Sequence, residues 1–263
     1  MSEIYVAFHE YFEIVEVDSV ALLEEVYRLR YRVYCVENKF EDYRSYPNEM
    51  EKDEYDHHSA HILLKHRPSG RYIGTARMVL QDRLDPYKAF PVEKYLQIDS
   101  DKMEINKLPR QNLAEISRFA VLQQFSRRRL DNNKPDKLNV KDKSVVDRRR
   151  FPNVFLALAV GVFQMSAARD VEYWVSAMNP VLNRLLGYYG LGLHPVGPLV
   201  DYHGMRRPYY AKISNILHKL HHDRHDVWEL VTDCGKVFPY TSAYTKSVHV
   251  YGKRLNRPNL ASG

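Results

Sequence analysis

Residues 114–121 read Ala-Glu-Ile-Ser-Arg-Phe-Ala-Val, a strand-like run that carries two full charges, Glu115 and Arg118. Charge is costly to bury, so charges inside such a run are paired, functional or both. In an undistorted strand Glu115, Ser117 and Phe119 share one face, and Ile116, Arg118 and Ala120 share the other. The offset of three therefore puts Glu115 and Arg118 on opposite faces unless a β-bulge re-aims one of them, and bulges are enriched beside active sites. Taken alone, the segment also fits an edge strand with two solvated charges.

Similar charges stand upstream. Arg77 falls in mid-strand within 72–80, on the face of Ile73, Thr75 and Val79, where a guanidinium needs a carboxylate or a ligand anion. That run and a second strand over 60–65 flank Arg-Pro-Ser-Gly at 67–70, which predicts a hairpin. Arg30 lies on a helix over 21–34, with Ser19 as its cap and Leu22, Val26, Leu29 and Val33 at helical spacing. Asp53 and Asp56 stand three apart in an acidic, Tyr-rich loop over 40–56. They either hold a cationic group or pair with Arg30 and Arg77 as internal salt bridges.

Downstream, 85–109 reads as loop with short helical pieces. A helix opens at Pro152 and runs through 168, followed by a strand over 172–178. Asn179-Pro180 starts a short helix that ends near Gly187 and Gly190. Strands over 196–200 and 207–213 and a helix over 215–231 complete the chain. With no internal repeat and no clear linker, this order predicts one α/β domain over 1–263 with a mixed sheet. It carries an inserted basic stretch at 123–150 and a C-terminal extension after about 214.

The bulk properties narrow the class. The 263 residues suffice for a real core, and 44% apolar composition argues against disorder over most of the length. No window has the roughly 18 uncharged apolar residues of a membrane span. The N-terminus lacks a basic stretch followed by an apolar one, so no secretory signal is read and a cytoplasmic protein is expected. Cys35 and Cys234 form neither a disulfide framework nor a metal-knuckle spacing. The net charge of +6 is clustered: Arg127 to Arg129 and Arg148 to Arg150 bracket a polar stretch suited to an acidic partner or a phosphate, or simply to solvent. Nucleic acid is the generic alternative, and no recognisable nucleic-acid-binding motif accompanies it. His218, His221, His222 and His225 read as a solvated helix face, and His57, His58, His61 and His66 as surface and strand residues; no metal is expected.

The order and context of these charges resemble the acyl-homoserine lactone synthases and related N-acyl amino acid synthases, a branch of the GNAT acyltransferase fold. The family's helical Arg, the aromatic four residues on and the Trp six further on fall at Arg30, Tyr34 and Phe40. Its AspXxxXxxAsp pair falls at Asp53 and Asp56, its GlyXxxXxxArg strand at Gly74 and Arg77, and its GluXxxSerArgPhe strand at Glu115, Ser117, Arg118 and Phe119. The motif-bearing part spans roughly residues 20–122. The aromatics depart from the pattern at Tyr34 and Phe40. In length and in the basic insertion the chain is similar to acyltransferases associated with the PEP-CTERM/exosortase system.

The resemblance implies a GNAT-like twisted mixed sheet flanked by helices, and transfer of a fatty acyl group from an acyl carrier protein or CoA thioester to a small-molecule amine. No tightly bound cofactor is implied. A thioester is attacked only by a neutral amine, so Glu115, its acidity weakened by burial, is the expected base, directly or through water. Arg118 is expected to act with it. Backbone N–H groups near Phe119 and Ala120 would serve the oxyanion. Arg148, Arg149 and Arg150, beside the N-terminus of the Pro152 helix, would receive the carrier's phosphopantetheine phosphate. Arg30, Tyr34, Phe40, Asp53, Asp56, Arg77 and Ser117 would shape the donor and acceptor pockets. An amino-acid-like acceptor leads, with S-adenosylmethionine, giving a homoserine lactone, as the alternative. A non-catalytic acyl-carrier-binding module is the reading from another class.

Overall fold

The computed structural model describes residues 1–126 and 153–239. The stretch 127–152 and the tail from 240 lie outside the described residues, and with them Arg148, Arg149, Arg150 and Pro152.

The chain enters through helix α1 (Glu3–Tyr11) and strand β1 (Phe12–Glu16), two elements the sequence reading did not place. Helix α2 (Val20–Tyr31) starts as predicted, with the Ser19 hydroxyl accepting the Leu22 N–H. It then widens into a π-helical stretch, Arg32–Glu37, a local geometry often found at functional sites. The predicted hairpin is β2 (Ser59–His66) and β3 (Arg71–Val79), turned at Gly70, whose φ of 67° suits glycine. After the short α3 (Pro91–Tyr95) come β4 (Leu113–Val121) and α4 (Gln123–Ser126). The second half holds α5 (Val154–Ala167), β5 (Tyr173–Met178), α6 (Pro180–Tyr188), β6 (His194–Pro195), β7 (Val200–Asp201), β8 (Met205–Lys212), α7 (Ile213–Asp223) and α8 (His225–Thr232). Asn179 caps α6, its side chain accepting the Val181 N–H at 2.8 Å.

Two expectations are corrected. The strand over 196–200 is a loop as far as Leu199, with Val200 opening β7: Pro198 interrupts it, and Gly197 packs so tightly that an added Cβ would lie 2.1 Å from the Gln97 carbonyl oxygen. The helix over 215–231 is two helices, broken at Arg224, whose backbone (φ −143°, ψ 64°) leaves the helical region.

The eight strands run in the order β1-β2-β3-β4-β5-β8-β6, with β7 on β8. Every pairing is antiparallel except β4 with β5. Helix α5 is apolar on nearly all sides, as a fully buried helix should be, and lies across β1 to β4. Leu158, Val162 and Phe163 sit in this core. Helix α2 packs on β2, β3 and β4 and carries Arg30. Among the described residues no helix is long and apolar enough to cross a membrane.

Candidate active site

The site is organised by two irregularities of β4. Its parallel pairing with β5 covers only Leu113, Ala114 and Glu115, opposite Tyr173, Trp174 and Val175. Beyond that point the strands part, the fork being closed by the Ser176 hydroxyl, which donates to the Ile116 carbonyl at 2.7 Å. From Ser117 onward the β5-facing edge of β4 has no strand partner among the described residues. On the other side, β4 slips by one residue against β3: Thr75 faces Ala120, but Arg77 faces Ser117. The extra residue is taken up at Arg118, whose φ of 48° is left-handed. This is the β-bulge that the sequence left open as the alternative to a solvated edge strand, and it aims Arg118 at Glu51 and at Asp53, which Arg77 also meets.

Those carboxylates form a closed network. The Arg30 Nε donates to Glu51 Oε2, and its Nη1 to Asp56 Oδ1 at 2.6 Å. Arg77 donates from Nη1 to Asp53 Oδ1 at 2.6 Å and to Asp56 Oδ1 at 2.9 Å, and from Nε to the Ser117 hydroxyl at 3.0 Å. Arg118 donates from Nη2 to Glu51 Oε1 at 2.9 Å and to Asp53 Oδ2 at 3.0 Å. The Asp53 and Tyr55 N–H groups donate to Asp56 and Asp53 carboxylate oxygens, fixing the acidic segment locally. Three guanidinium groups thus meet three carboxylates, and Arg30, Arg77 and Glu51 are essentially excluded from solvent. Burial raises the Glu51 carboxyl, but Arg30 and Arg118 outweigh it and hold the group at about 2. Asp56 is pulled below its ordinary range by the same opposition, with Arg30 and Arg77 prevailing over burial.

Glu115 stands apart. It is 2% exposed, and its Oε2 accepts the Val92 N–H of α3 at 2.7 Å, one of the donors a helix start leaves unpaired. Burial pushes its carboxyl up to about 8; the Val92 hydrogen bond and the charges of Arg77 and Arg118 pull the other way and lose. A carboxyl that titrates near neutrality beside a broken strand edge has the acidity of a general base.

Aromatic rings and a further cation line the fork. Arg118 lies 5.5 Å over the Tyr34 ring, and Tyr34 contacts Phe40 at 6.4 Å between centroids. From β8, Arg206 lies 5.4 Å over Phe40, and it has no carboxylate partner among the described residues. Below the network a cleft of about 650 Å³ is lined by Leu23, Tyr27, Lys52, Asp53, Asp56 and His61 among others. The Arg30 Nη2 and both ring nitrogens of the buried His61 have no hydrogen-bond partner among the described residues. Burial lowers the His61 ring to about 4, so it is neutral at physiological pH.

Arg30, Asp53, Asp56, Arg77, Ser117 and Arg118 therefore meet directly, with Tyr34 and Phe40 beside them. The two readings left open for the acidic pair are resolved toward internal ion pairs, though Asp53 and Asp56 also reach the cleft. Phe119 points elsewhere, stacking on Phe155 at 6.4 Å on the α5 side, and Ala120 is buried against β3. Their side chains do not line the fork. Sequence reasoning missed Glu51, His61 and Arg206. Glu51 is one of seven acidic residues in 41–56, and nothing in that stretch marks it as the buried one.

The family described as acetyltransferase (GNAT) domain matches residues 29–132, the stretch from α2 past β4. No curated protein matches the sequence. Among solved structures, TofI in a ternary complex with an inhibitor and MTA superposes with a TM-score of 0.54 at 16% identity, covering 82% of this chain and 98% of that one. BjaI, a CoA-dependent acyl-homoserine lactone synthase solved with MTA, gives 0.53 at 14%, covering 91% and 99%. FeeM, an N-acyl amino acid synthase from uncultured soil microbes, gives 0.51 at 12%, covering 79% and 93%. The chain has the GNAT fold, and residues 29–132 match the acetyltransferase domain family of that fold.

Proposed function

We propose that this protein is an N-acyltransferase that moves a fatty acyl group from a thioester, on acyl carrier protein or CoA, to the amine of an amino acid or similar small molecule. The observation that carries this is the pairing of a buried, neutral-pH-titrating Glu115 with the unpaired edge of β4 at the fork. The thioester's pantetheine arm lies along that edge, where free backbone N–H groups of the bulged strand receive the developing oxyanion. The amine loses its proton to Glu115 and attacks the carbonyl carbon. The amide bond forms, the C–S bond breaks, and the proton passes to the departing thiolate.

The acceptor enters through the cleft, where Asp53 and Asp56 favour its cationic end and the neutral His61 offers ring nitrogens to its polar groups. Arg118 belongs to both sides, bonded to Asp53 and adjacent to the fork. Arg148, Arg149 and Arg150, outside the described residues, meet the phosphopantetheine phosphate and the acidic carrier protein. Residues 1–263 act as one such unit, and the likeness to exosortase-associated enzymes rests on chain length and on the basic insertion alone.

A second reading, a homoserine lactone product from S-adenosylmethionine, is favoured by one observation: BjaI, a lactone synthase solved with MTA, shares the fold over nearly its whole length. The cleft's carboxylates suit a sulfonium as well as an ammonium. Mass spectrometry of products from a panel of acyl-carrier-protein and CoA thioesters, mixed with amino acids and S-adenosylmethionine, separates the readings. An acyl amino acid supports the first and an acyl lactone the second. No product with any donor from the folded protein sinks both and leaves a carrier-binding module.

A further inference from the structure

Outside that machinery, three side chains converge where β2 begins and β3 ends. His57 and His58 belong to the 3₁₀ turn Asp56–His58 that leads into β2, and Asp82 follows β3. The His57 Nε2, the His58 Nδ1 and the Asp82 Oδ2 form a triangle. Its sides are 3.1 Å from His57 to Asp82, 3.1 Å from His57 to His58 and 3.7 Å from His58 to Asp82. A tetrahedral zinc ion with bonds of about 2.0–2.1 Å holds its ligand atoms about 3.3–3.4 Å apart, a spacing these sides bracket.

Hydrogen bonding accounts for the triangle poorly. As a donor, the His57 Nε2 has one hydrogen for two neighbours at equal distance; as an acceptor, it turns a lone pair toward a carboxylate. An ion satisfies all three lone pairs at once. The carboxylate is already oriented for this, because its other oxygen, Oδ1, accepts the Leu84 N–H at 2.9 Å, the kind of outer contact that fixes metal ligands. Asp82 is buried while His57 is exposed, so a fourth position opens toward solvent. The Lys88 ammonium, 3.6 Å from the same Asp82 oxygen, is the competing cation; it also lies 5.2 Å over the Tyr55 ring, a second resting place. Two imidazoles and a carboxylate suit zinc and its first-row neighbours, not magnesium or calcium.

We propose that His57, His58 and Asp82 form a zinc site, with water as the fourth ligand. This reading departs from the sequence expectation, which placed both histidines as surface and strand residues. The ion joins the turn that carries Asp56 to the segment after β3, extending a tie already made by the Leu80 N–H, which donates to the His58 carbonyl at 3.0 Å. It also stands at the rim of the acceptor cleft, which His57 helps to line. The proposal does not depend on the acyltransferase reading.

The test must separate this site from the second histidine group, where His218 lies 4.5 Å from His222 and His221 lies 5.0 Å from His225 between ring centroids. The untagged full-length protein is stripped with chelator, titrated with Zn²⁺ against a chromophoric competitor, and loaded with Co²⁺ for absorption spectroscopy. The expected result is one tight equivalent with the strong visible bands of four-coordinate cobalt. Affinity falls at least about tenfold in His58→Ala and in Asp82→Asn and is unchanged in a His218→Ala/His222→Ala double variant. Stripped variants are first shown to melt like the stripped wild type. A wild type that binds no zinc, or a tight equivalent that survives both site variants or disappears in the double variant, overturns the assignment.

Discussion

Replacing Glu115 with Gln tests the chemistry and the electrostatics in one protein. The ordinary carboxyl value near 4.5 is raised to about 8 by burial. The folded protein therefore keeps a proton that the unfolded chain releases above pH 4.5, and the native state binds more protons across that window. Stability from this group is fully present below pH 4.5 and is lost as pH rises toward 8; the loss amounts to about 4 kcal/mol, most of it between pH 5 and 8. Gln is close to isosteric and cannot ionise. Its carbonyl oxygen can still accept the Val92 N–H, now at 2.7 Å from Glu115, while its amide N–H needs a new acceptor and costs about 1 kcal/mol. Glu115→Gln should therefore match wild type within about 1 kcal/mol at pH 5 and exceed it by about 3 kcal/mol at pH 8, measured by urea denaturation at both values. Its turnover should fall by about 10²–10⁴. In wild type, kcat/KM should rise with pH, reach half its maximum near pH 8 and level off above it. A variant that is less stable than wild type at pH 8 would mean that Glu115 is ionised and satisfied in the fold. Turnover left unchanged would remove it from the reaction.

Gly197→Ala should destabilise the fold by about 1–3 kcal/mol in the same denaturation assay, because its Cβ would lie 2.1 Å from a backbone oxygen of Gln97, which cannot swing aside. Arg77→Lys keeps the charge but cannot span Asp53, Asp56 and the Ser117 hydroxyl at once; a loss of about 1–3 kcal/mol is expected, and full stability would show that the fork geometry of the guanidinium is unnecessary. Replacing Arg148, Arg149 and Arg150 together by Ala should raise KM for acyl-carrier-protein donors in a salt-dependent way and change KM for acyl-CoA less; equal effects on both donors would leave only the phosphate contact.

The strand hairpin, the cap of α2 and the Asn179-Pro180 helix start were legible because each is written in local chemistry. The bulge at Arg118 was legible for a different reason: a three-residue offset between two charges has few ways to serve one face. Four features were not readable. β1 is five residues long and its two polar residues, Glu13 and Glu16, stand three apart, so no period-two alternation marks it as a strand. The break at Arg224 separates two stretches whose apolar spacing continues across it. Glu51 is chosen by tertiary contact alone, since only the approach of Arg30 from α2 and Arg118 from β4 distinguishes it from its acidic neighbours. Arg206 likewise acquires meaning only when β8 brings it over Phe40.

Glu51 also explains why Glu115 is basic. Arg30, Arg77 and Arg118 each have carboxylate partners within the network, so no guanidinium forms an ion pair with Glu115 and burial sets its acidity. Remove the Glu51 charge and that balance changes in two ways. Arg30 and Arg118 lose a shared buried partner, which should destabilise the fold by about 3–5 kcal/mol. Arg118, held then by Asp53 alone, exerts a less compensated positive field on Glu115, whose carboxyl should fall below 8. Glu51→Gln should therefore move the rise of kcat/KM to lower pH while weakening the fold. An unshifted pH profile in a folded Glu51→Gln protein would show that the network and the base are independent, and that burial alone fixes the acidity of Glu115.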